Sequence, residues 1–207
     1  MKAVGGKSMQ KIVIATKNPG KVREMAAALS ALPFDVVSLA EFGDLPDAVE
    51  DGQTFAENAR IKAAFYRQQT GCACIADDSG LEIAVLDGAP GIHSARFAGF
   101  HADDATNNAK MVAELRRAGV SESAADYRCA IAFVDTDGTE LMAEGRCDGQ
   151  IKLAPRGTNG FGYDPYFYPQ AYPDRTMAEL TLEEKQQISH RGKALKALSQ
   201  KLEAGRK

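Results

Sequence analysis

Ile75-Ala76-Asp77-Asp78-Ser79-Gly80-Leu81 delivers two adjacent carboxylates and a hydroxyl directly off an apolar run. Cys74, Ile75 and Ala76 read as the end of a strand, Gly80 permits a turn, and Leu81, Ile83 and Val85 resume a period-two alternation. Carboxylates at a strand end sit on a rigid element, and hard divalent cations such as magnesium are commonly held by one or two carboxylates plus substrate phosphates. The competing reading is an Asx-turn, with the same side chains capping backbone amides; for this tetrapeptide alone, turn statistics favour it. The flanking sequence has to decide.

Upstream, Lys11-Ile12-Val13-Ile14-Ala15 reads as a short buried strand that ends in Thr16-Lys17-Asn18-Pro19-Gly20-Lys21. Val22, Met25, Ala26 and Leu29 then recur at helical spacing, so the polar loop joins a strand to a helix N-terminus. Such a terminus offers unpaired amides and partial positive charge, and Lys17 and Lys21 add full charges, a setting that favours anions. The Walker spacing is absent. Phe34 to Leu39 reads as a second strand, and a polar, acidic connection follows from Glu41 to Gly52. Thr54-Phe55-Ala56-Glu57 is a capping box opening a helix that Gly71 closes. Glu50 or Asp51 therefore falls near a helix start, where a further carboxylate could complete a metal site with Asp78.

Downstream, the turn-forming Asp87-Gly88-Ala89-Pro90-Gly91 and the segment Ser94-Ala95-Arg96-Phe97-Ala98-Gly99 lead to a helix from Asp103-Asp104 to Ala118, with Met111, Val112 and Leu115 as its apolar stripe. Arg128 to Val134 and Glu140 to Ala143 flank Asp135-Thr136-Asp137-Gly138, the pattern of two antiparallel strands, which Gly145 to Ile151 extends. Parallel crossovers beside hairpins predict a mixed sheet. In Pro155-Arg156-Gly157-Thr158-Asn159-Gly160-Phe161-Gly162-Tyr163-Asp164-Pro165, glycines allow close backbone approach to a ligand. Phe161 or Tyr163 offers a flat face on which a nucleobase can stack, worth about 1 to 3 kcal/mol, and Asp164 can supply a hydrogen bond. Thr181-Leu182-Glu183-Glu184-Lys185 is another capping-box pattern, and Ser189 is placed to cap a C-terminal helix with His190 and Arg191 in its first turn.

The 207 residues are 44% apolar, enough for one sizeable core, either a single large domain or two lobes sharing a sheet. A net charge of -3 provides no global basic field for nucleic acid or an anionic membrane, so any anion site must be local. No apolar run approaches the roughly 18 residues of a membrane helix, and the opening MKAVGGKSMQK lacks a signal-peptide core. A cytoplasmic protein is expected, with residues 1–8 as a disordered extension and 9–207 as the domain. Cys72, Cys74, Cys129 and Cys147 show no paired C-x-x-C spacing and read as reduced core thiols.

Taken in order, T-K-N-P-G-K (16–21), F-A-E-N-A (55–59), A-D-D-S-G-L (76–81), G-A-P-G-I-H-S-A-R-F (88–97), F-G-Y-D-P (161–165) and E-E-K-Q-Q-I-S-H-R-G (183–192) resemble the inosine triphosphate pyrophosphatase family over about residues 10–200. That resemblance implies an elongated α/β fold, a mixed sheet flanked by helices with two lobes and a central cleft. It implies Mg2+-dependent hydrolysis of dITP, ITP and XTP to the monophosphate and pyrophosphate, by a homodimer that binds neither nucleic acid nor membrane. At matching positions it implies that Thr16, Lys17, Asn18, Pro19, Gly20 and Lys21 cradle the triphosphate. Glu50 and Asp78 would bind magnesium, with Asp78 also the proton acceptor, and Ser79 would touch substrate. Phe161, Gly162, Tyr163 and Asp164 would line the base pocket, with Lys185, His190 and Arg191 completing contacts to phosphate or purine.

Overall fold

The apolar run after Met9 forms β1 (Gln10–Ile14), and Asn18-Pro19 ends it by starting α1 (Pro19–Leu29). Proline in the first helical turn loses no hydrogen bond there, and the Asn18 side chain caps the helix. The computed structural model describes residues 9–205; the expected extension at 1–8 lies outside the described residues. β2 (Phe34–Ser38) follows, then α2 (Phe55–Thr70), with both halves of the expected capping box formed and Gly71 at φ 66° closing the helix. The remaining elements are β3 (Ala73–Ile83), α3 (Asp104–Arg117), β4 (Glu122–Val134), β5 (Glu140–Lys152), β6 (Phe167–Pro169), α4 (Leu182–Ile188) and α5 (His190–Ala204).

The six strands form one sheet in the order β2-β1-β3-β4-β5-β6. β1 runs parallel to both β2 and β3, whereas β3 through β6 are antiparallel, so the sheet is mixed as its connections require. β4 and β5 pair without a break from Glu122↔Lys152 to Val134↔Glu140, so the extension read to Ile151 forms on β5, and β4 begins earlier than the Arg128 read from the sequence.

The Asp77-Asp78-Ser79-Gly80 stretch differs from its expected form. It is not a strand end followed by a turn: β3 runs straight through it and stays paired with β4 from Cys74 to Ile83. Gly80 is there because the Gly91 carbonyl and the Ser94 hydroxyl press on the strand, where a Cβ would lie 2.3 and 2.5 Å from their oxygens. What does end is the neighbouring strand. β1 pairs with β3 only as far as Ile14↔Ile75, so from Ala76 onward, among the described residues, no strand lies along that edge of β3, which is met instead by Lys62, Ser94 and a bridge between Glu82 and Pro90. The two aspartates therefore open onto the crevice beyond the carboxyl end of a parallel strand, where ligands of α/β sheets bind.

Period-two alternation sorts β3 between the two faces of the sheet. Ala73 and Ile75 join a core with Ile12 and Ile14 of β1, Met25 and Leu29 of α1, and Leu195 and Leu198 of α5. Cys74 and Ala76 point the other way, to Ala59, Ala63 and Tyr66 of α2. Leu81 and Ile83 belong to a third core with Met111 and Leu115 of α3, Tyr127 and Phe167. Asp77 and Ser79 thus occupy the polar gap between the first and third cores. The cysteines are free thiols, three of them buried, and burial pushes the Cys74 thiol up to about 11.

Close approach of α5 to the sheet rests on Gly145 of β5, where a Cβ would lie 2.0 Å from the His190 carbonyl oxygen. Backbone cannot yield as a flexible side chain can, so Gly145→Ala should destabilise the protein by about 1 to 3 kcal/mol, as overpacking does. Thermal unfolding followed by circular dichroism should show a lowered midpoint; an unchanged midpoint would mean that α5 is not seated as described.

Candidate active site

One cavity joins most of the residues singled out in the sequence. Its walls include Asn18, Lys21, Glu50, Asp78, Ser79, Phe161, Gly162, Tyr163, Asp164, Lys185, His190 and Arg191. Thr16, Lys17, Pro19 and Gly20 are not among the lining residues. The Lys17 ammonium is turned to the acidic connection, 2.8 Å from Asp47 and 2.7 Å from the Leu45 carbonyl. Gly20 serves packing, since a Cβ there would lie 2.4 Å from the Phe161 ring. The start of α1 also departs from expectation. Its first amides are not free for an anion, because the Asn18 side-chain oxygen accepts from Gly20 N at 2.8 Å and Lys21 N at 3.1 Å. Positive charge at this end is carried by Lys21.

Asp77 is fully buried, and its Oδ2 is the centre of a network. Lys21 Nζ lies 3.1 Å away, Arg191 donates from Nε at 3.1 Å and from Nη2 at 2.9 Å, and the Ser79 hydroxyl donates at 3.0 Å. Burial disfavours the ionised form, but Lys21, Arg191 and Lys62 together hold the carboxyl well below the usual carboxylate range. Asp78, on the opposite face, goes the other way. Burial dominates and raises it, while Lys62, Lys21 and a 3.1 Å hydrogen bond from Asn58 pull it only partly back. Two neighbouring carboxylates are thus tuned apart, the arrangement that separates a permanently charged anchor from a proton acceptor.

α2 supplies the rest of this end. Asn58 of the F-A-E-N-A motif receives the Gly52 amide at 2.9 Å and donates to Asp78, which ties the acidic connection to β3. Lys62 donates to the Asp77 carbonyl at 3.1 Å and pairs with Glu50 at 2.7 Å, and Asp78 also acts on its charge. Of the two acids left open by the sequence, Glu50 faces the cavity and Asp51 is exposed. Among the described residues no group of three or more His, Cys, Asp or Glu side chains could by itself hold a metal ion. Glu50 and Asp78 both act on the Lys62 ammonium, so they are two oxygen ligands already addressing one positive charge. That donor set fits magnesium, which takes one or two carboxylates and completes its shell with phosphates and water.

At the other end, Asp164 is buried and accepts from the Phe161 amide at 3.0 Å and from the Lys185 ammonium. Burial pushes its carboxyl up against the pull of Lys185. Glu24 of α1, which sequence reasoning missed, pairs with Lys185 at 2.7 Å and with Nη1 of Arg191. The Arg191 guanidinium therefore commits four of its five hydrogens, to Asp77, Ser79 and Glu24, and keeps one on Nη1. Phe161 lies over both cations, 4.9 Å from Lys185 and 5.6 Å from Arg191. Lys62, Asn58 and Glu24 sit on helix faces whose spacing gives them no mark; only the F-A-E-N-A match pointed near the first two.

His190 is buried and stacks on Tyr127, with ring centroids 4.7 Å apart. Burial, reinforced by Arg191 and Lys185, holds it well below the usual histidine range, so the ring is neutral, and its buried Nδ1 has no hydrogen-bond partner among the described residues.

Residues 12–201 match the Ham1 family. The chain is 47% identical over 194 residues to a dITP/XTP pyrophosphatase of Geobacter sulfurreducens, covering 94% of this chain and 97% of that one. Among solved structures, a HAM1 protein from Coxiella burnetii superposes with a TM-score of 0.83 at 44% identity, covering 95% of this chain and 100% of that one. The Staphylococcus aureus Ham1 protein gives 0.80 at 37% identity, again over 95% of this chain and 100% of the other.

The neutral histidine has a pH signature. Its folded value lies below its unfolded one, so its stabilising contribution is full above about pH 6.5 and declines as pH falls and the unfolded chain takes up the proton, by at most about 1.4 kcal/mol per pH unit. Denaturant titrations at pH 7.5 and 5.0 should show wild type losing more stability on acidification than His190→Gln. Equal losses would place a charged ring at this position.

Proposed function

The chain belongs to the Ham1 family, and on that footing we propose that it hydrolyses deaminated purine nucleoside triphosphates, dITP, ITP and XTP, to the monophosphate and pyrophosphate. In this role it keeps hypoxanthine and xanthine nucleotides out of the pool from which DNA and RNA are made. The observation that carries the reading is the single cavity. It places Lys21, Lys62, Glu50 and Asp78, suited to phosphates and a metal ion, beside Phe161, Asp164, Lys185 and Arg191, suited to a base.

At the phosphate end, Lys21 and Lys62 are the fixed charges available to the tail. Asp78 orients the attacking water and accepts its proton; a carboxyl raised by burial is better matched to that task than an ordinary aspartate. Glu50 and Asp78 would hold magnesium, which when bound polarises phosphate oxygens and stabilises charge on the departing pyrophosphate. The proton moves from water to an Asp78 carboxylate oxygen as the new P–O bond forms and the P–O bond that joins the monophosphate to the pyrophosphate breaks. Of the 16–21 loop, Lys21 meets the substrate directly, while Asn18, Pro19 and Gly20 shape the turn and the seat of Phe161.

At the base end, Phe161 supplies a stacking face that discriminates little among purines. Selection falls to hydrogen bonds. The remaining Nη1 hydrogen of Arg191 suits the 6-oxo group of hypoxanthine or xanthine, whereas the 6-amino group of adenine would set donor against donor. The neutral His190 adds an uncommitted ring nitrogen beside this wall. The reading extends to a homodimer working in the cytoplasm, where free nucleotides are found.

With dITP and magnesium the protein should release dIMP and pyrophosphate in equal amounts, resolved by anion-exchange chromatography. Orthophosphate as product, equal turnover of dATP, or binding of ITP without turnover would each overturn the reading. Asp78→Asn should lower kcat by about 10^2 to 10^4, the span of a lost general base, with KM changed far less.

A further inference from the structure

The cations of the cavity are already taken, with one exception. Lys21 lies 3.1 Å from Asp77, Lys62 2.7 Å from Glu50, Lys185 2.7 Å from Glu24, and Arg191 2.9 Å from Asp77. Arg96 also lines the cavity and is partly buried, yet among the described residues its guanidinium has neither a hydrogen bond nor an ion pair. The carboxylates of Glu24, Glu50, Asp77, Asp78, Asp104 and Asp164 line or underlie the same cavity and outnumber the four paired cations. Among the described residues lining the cavity, Arg96 is the one cation without a carboxylate partner, so a polyanion entering here need displace no ion pair to reach it.

The backbone around Arg96 is fixed while its side chain is left free. Its carbonyl accepts from Gly99 N at 2.9 Å. Asn107 of α3 brackets it, donating to the Ala95 carbonyl at 3.2 Å and accepting from the Ala98 amide at 2.8 Å. The Ser94 hydroxyl donates to the Gly91 carbonyl and accepts from the Leu81 amide at 2.9 Å, and the Tyr163 hydroxyl donates to the Ser94 carbonyl at 2.8 Å. Asp104, the acid at this end of the cavity, is engaged by the Gly162 amide at 2.6 Å. A pinned backbone carrying an uncommitted guanidinium is a preorganised anion receptor.

We propose that Arg96 contacts the polyphosphate tail of the substrate, gripping it from the α3 end of the cavity while Lys21 and Lys62 hold it from α1 and α2. The claim rests on the pyrophosphatase reading and adds a substrate-binding residue to it. The tail is the fitting partner because it carries most of the substrate's charge, and the planar guanidinium fork matches paired phosphate oxygens. The base end already has Asp164, Lys185 and Arg191 to meet the purine.

The test compares wild type, Arg96→Ala and Arg96→Lys with dITP, dIMP and inorganic tripolyphosphate, each protein first checked for an unchanged melting temperature. Arg96→Ala should raise KM for dITP by about 10- to 100-fold and weaken tripolyphosphate binding in parallel, the loss expected of a charge-assisted bidentate contact. Affinity for dIMP should stay within about twofold, and Arg96→Lys should recover part of the loss, since it keeps the charge but not the fork. Unchanged dITP kinetics in Arg96→Ala, or a loss for dIMP as large as for dITP, overturns the proposal. Tripolyphosphate binding by calorimetry needs no base and no turnover, so it judges Arg96 even if wild type proves not to hydrolyse dITP. Should Arg96→Ala not fold, Arg96→Lys decides alone: tripolyphosphate affinity equal to wild type with unchanged dITP kinetics counts against the fork.

Discussion

A single buried carboxylate holds the two ends of the site together. Asp77 receives Lys21 from the helix after β1, Arg191 from the C-terminal helix and Ser79 from its own strand. Taking these charges out of water is unfavourable, and only the convergence of several partners on one oxygen makes the arrangement stable. Its worth lies in placement. Lys21 from α1 and Arg191 from α5 are both referred to the same atom, on a strand buried along most of its length.

Strand geometry then explains how neighbouring residues acquire opposite characters. Successive side chains leave a strand on opposite faces, so Asp77 enters the gap between α1 and α5 and meets cations, whereas Asp78 enters the α2 side and meets Asn58 and the edge of Lys62's field. One is held ionised and the other is raised.

The helices were legible in the sequence because their ends are local chemistry. Thr54 with Glu57, Thr181 with Glu184 and Ser189 each cap as read, and Asp103 caps the helix whose start was read at Asp103-Asp104. The course of β3 was not legible, because Asp-Asp-Ser-Gly has turn propensity and only tertiary contacts, β4 along one edge and the Gly91–Arg96 segment against Gly80, hold it extended. Most of the side chains the motifs named meet in one cavity, though Thr16, Lys17, Pro19 and Gly20 do not, and the motifs hid the partners. Glu24, Asn58 and Lys62 act through pairings that run from Lys62 with Asp77, 15 residues away, to Glu24 with Arg191, 167 away, and no local pattern records such a pairing. The α1 terminus was misread for the opposite reason: Asn18 satisfies the very amides that its position made attractive to an anion.

The continuity of β3, β4 and β5 through all three apolar cores bears on how such a molecule can move. Among the described residues the three cores are joined by the same strands, which are floor to each of them. Widening or narrowing the mouth of the cleft must then take the form of a change in sheet curvature, shared over many residues, with α3 and the α1–α5 pair carried along at either extremity. Asp78 lies on one of these shared strands, so a bend of that kind would displace its carboxylate least while the walls travel around it.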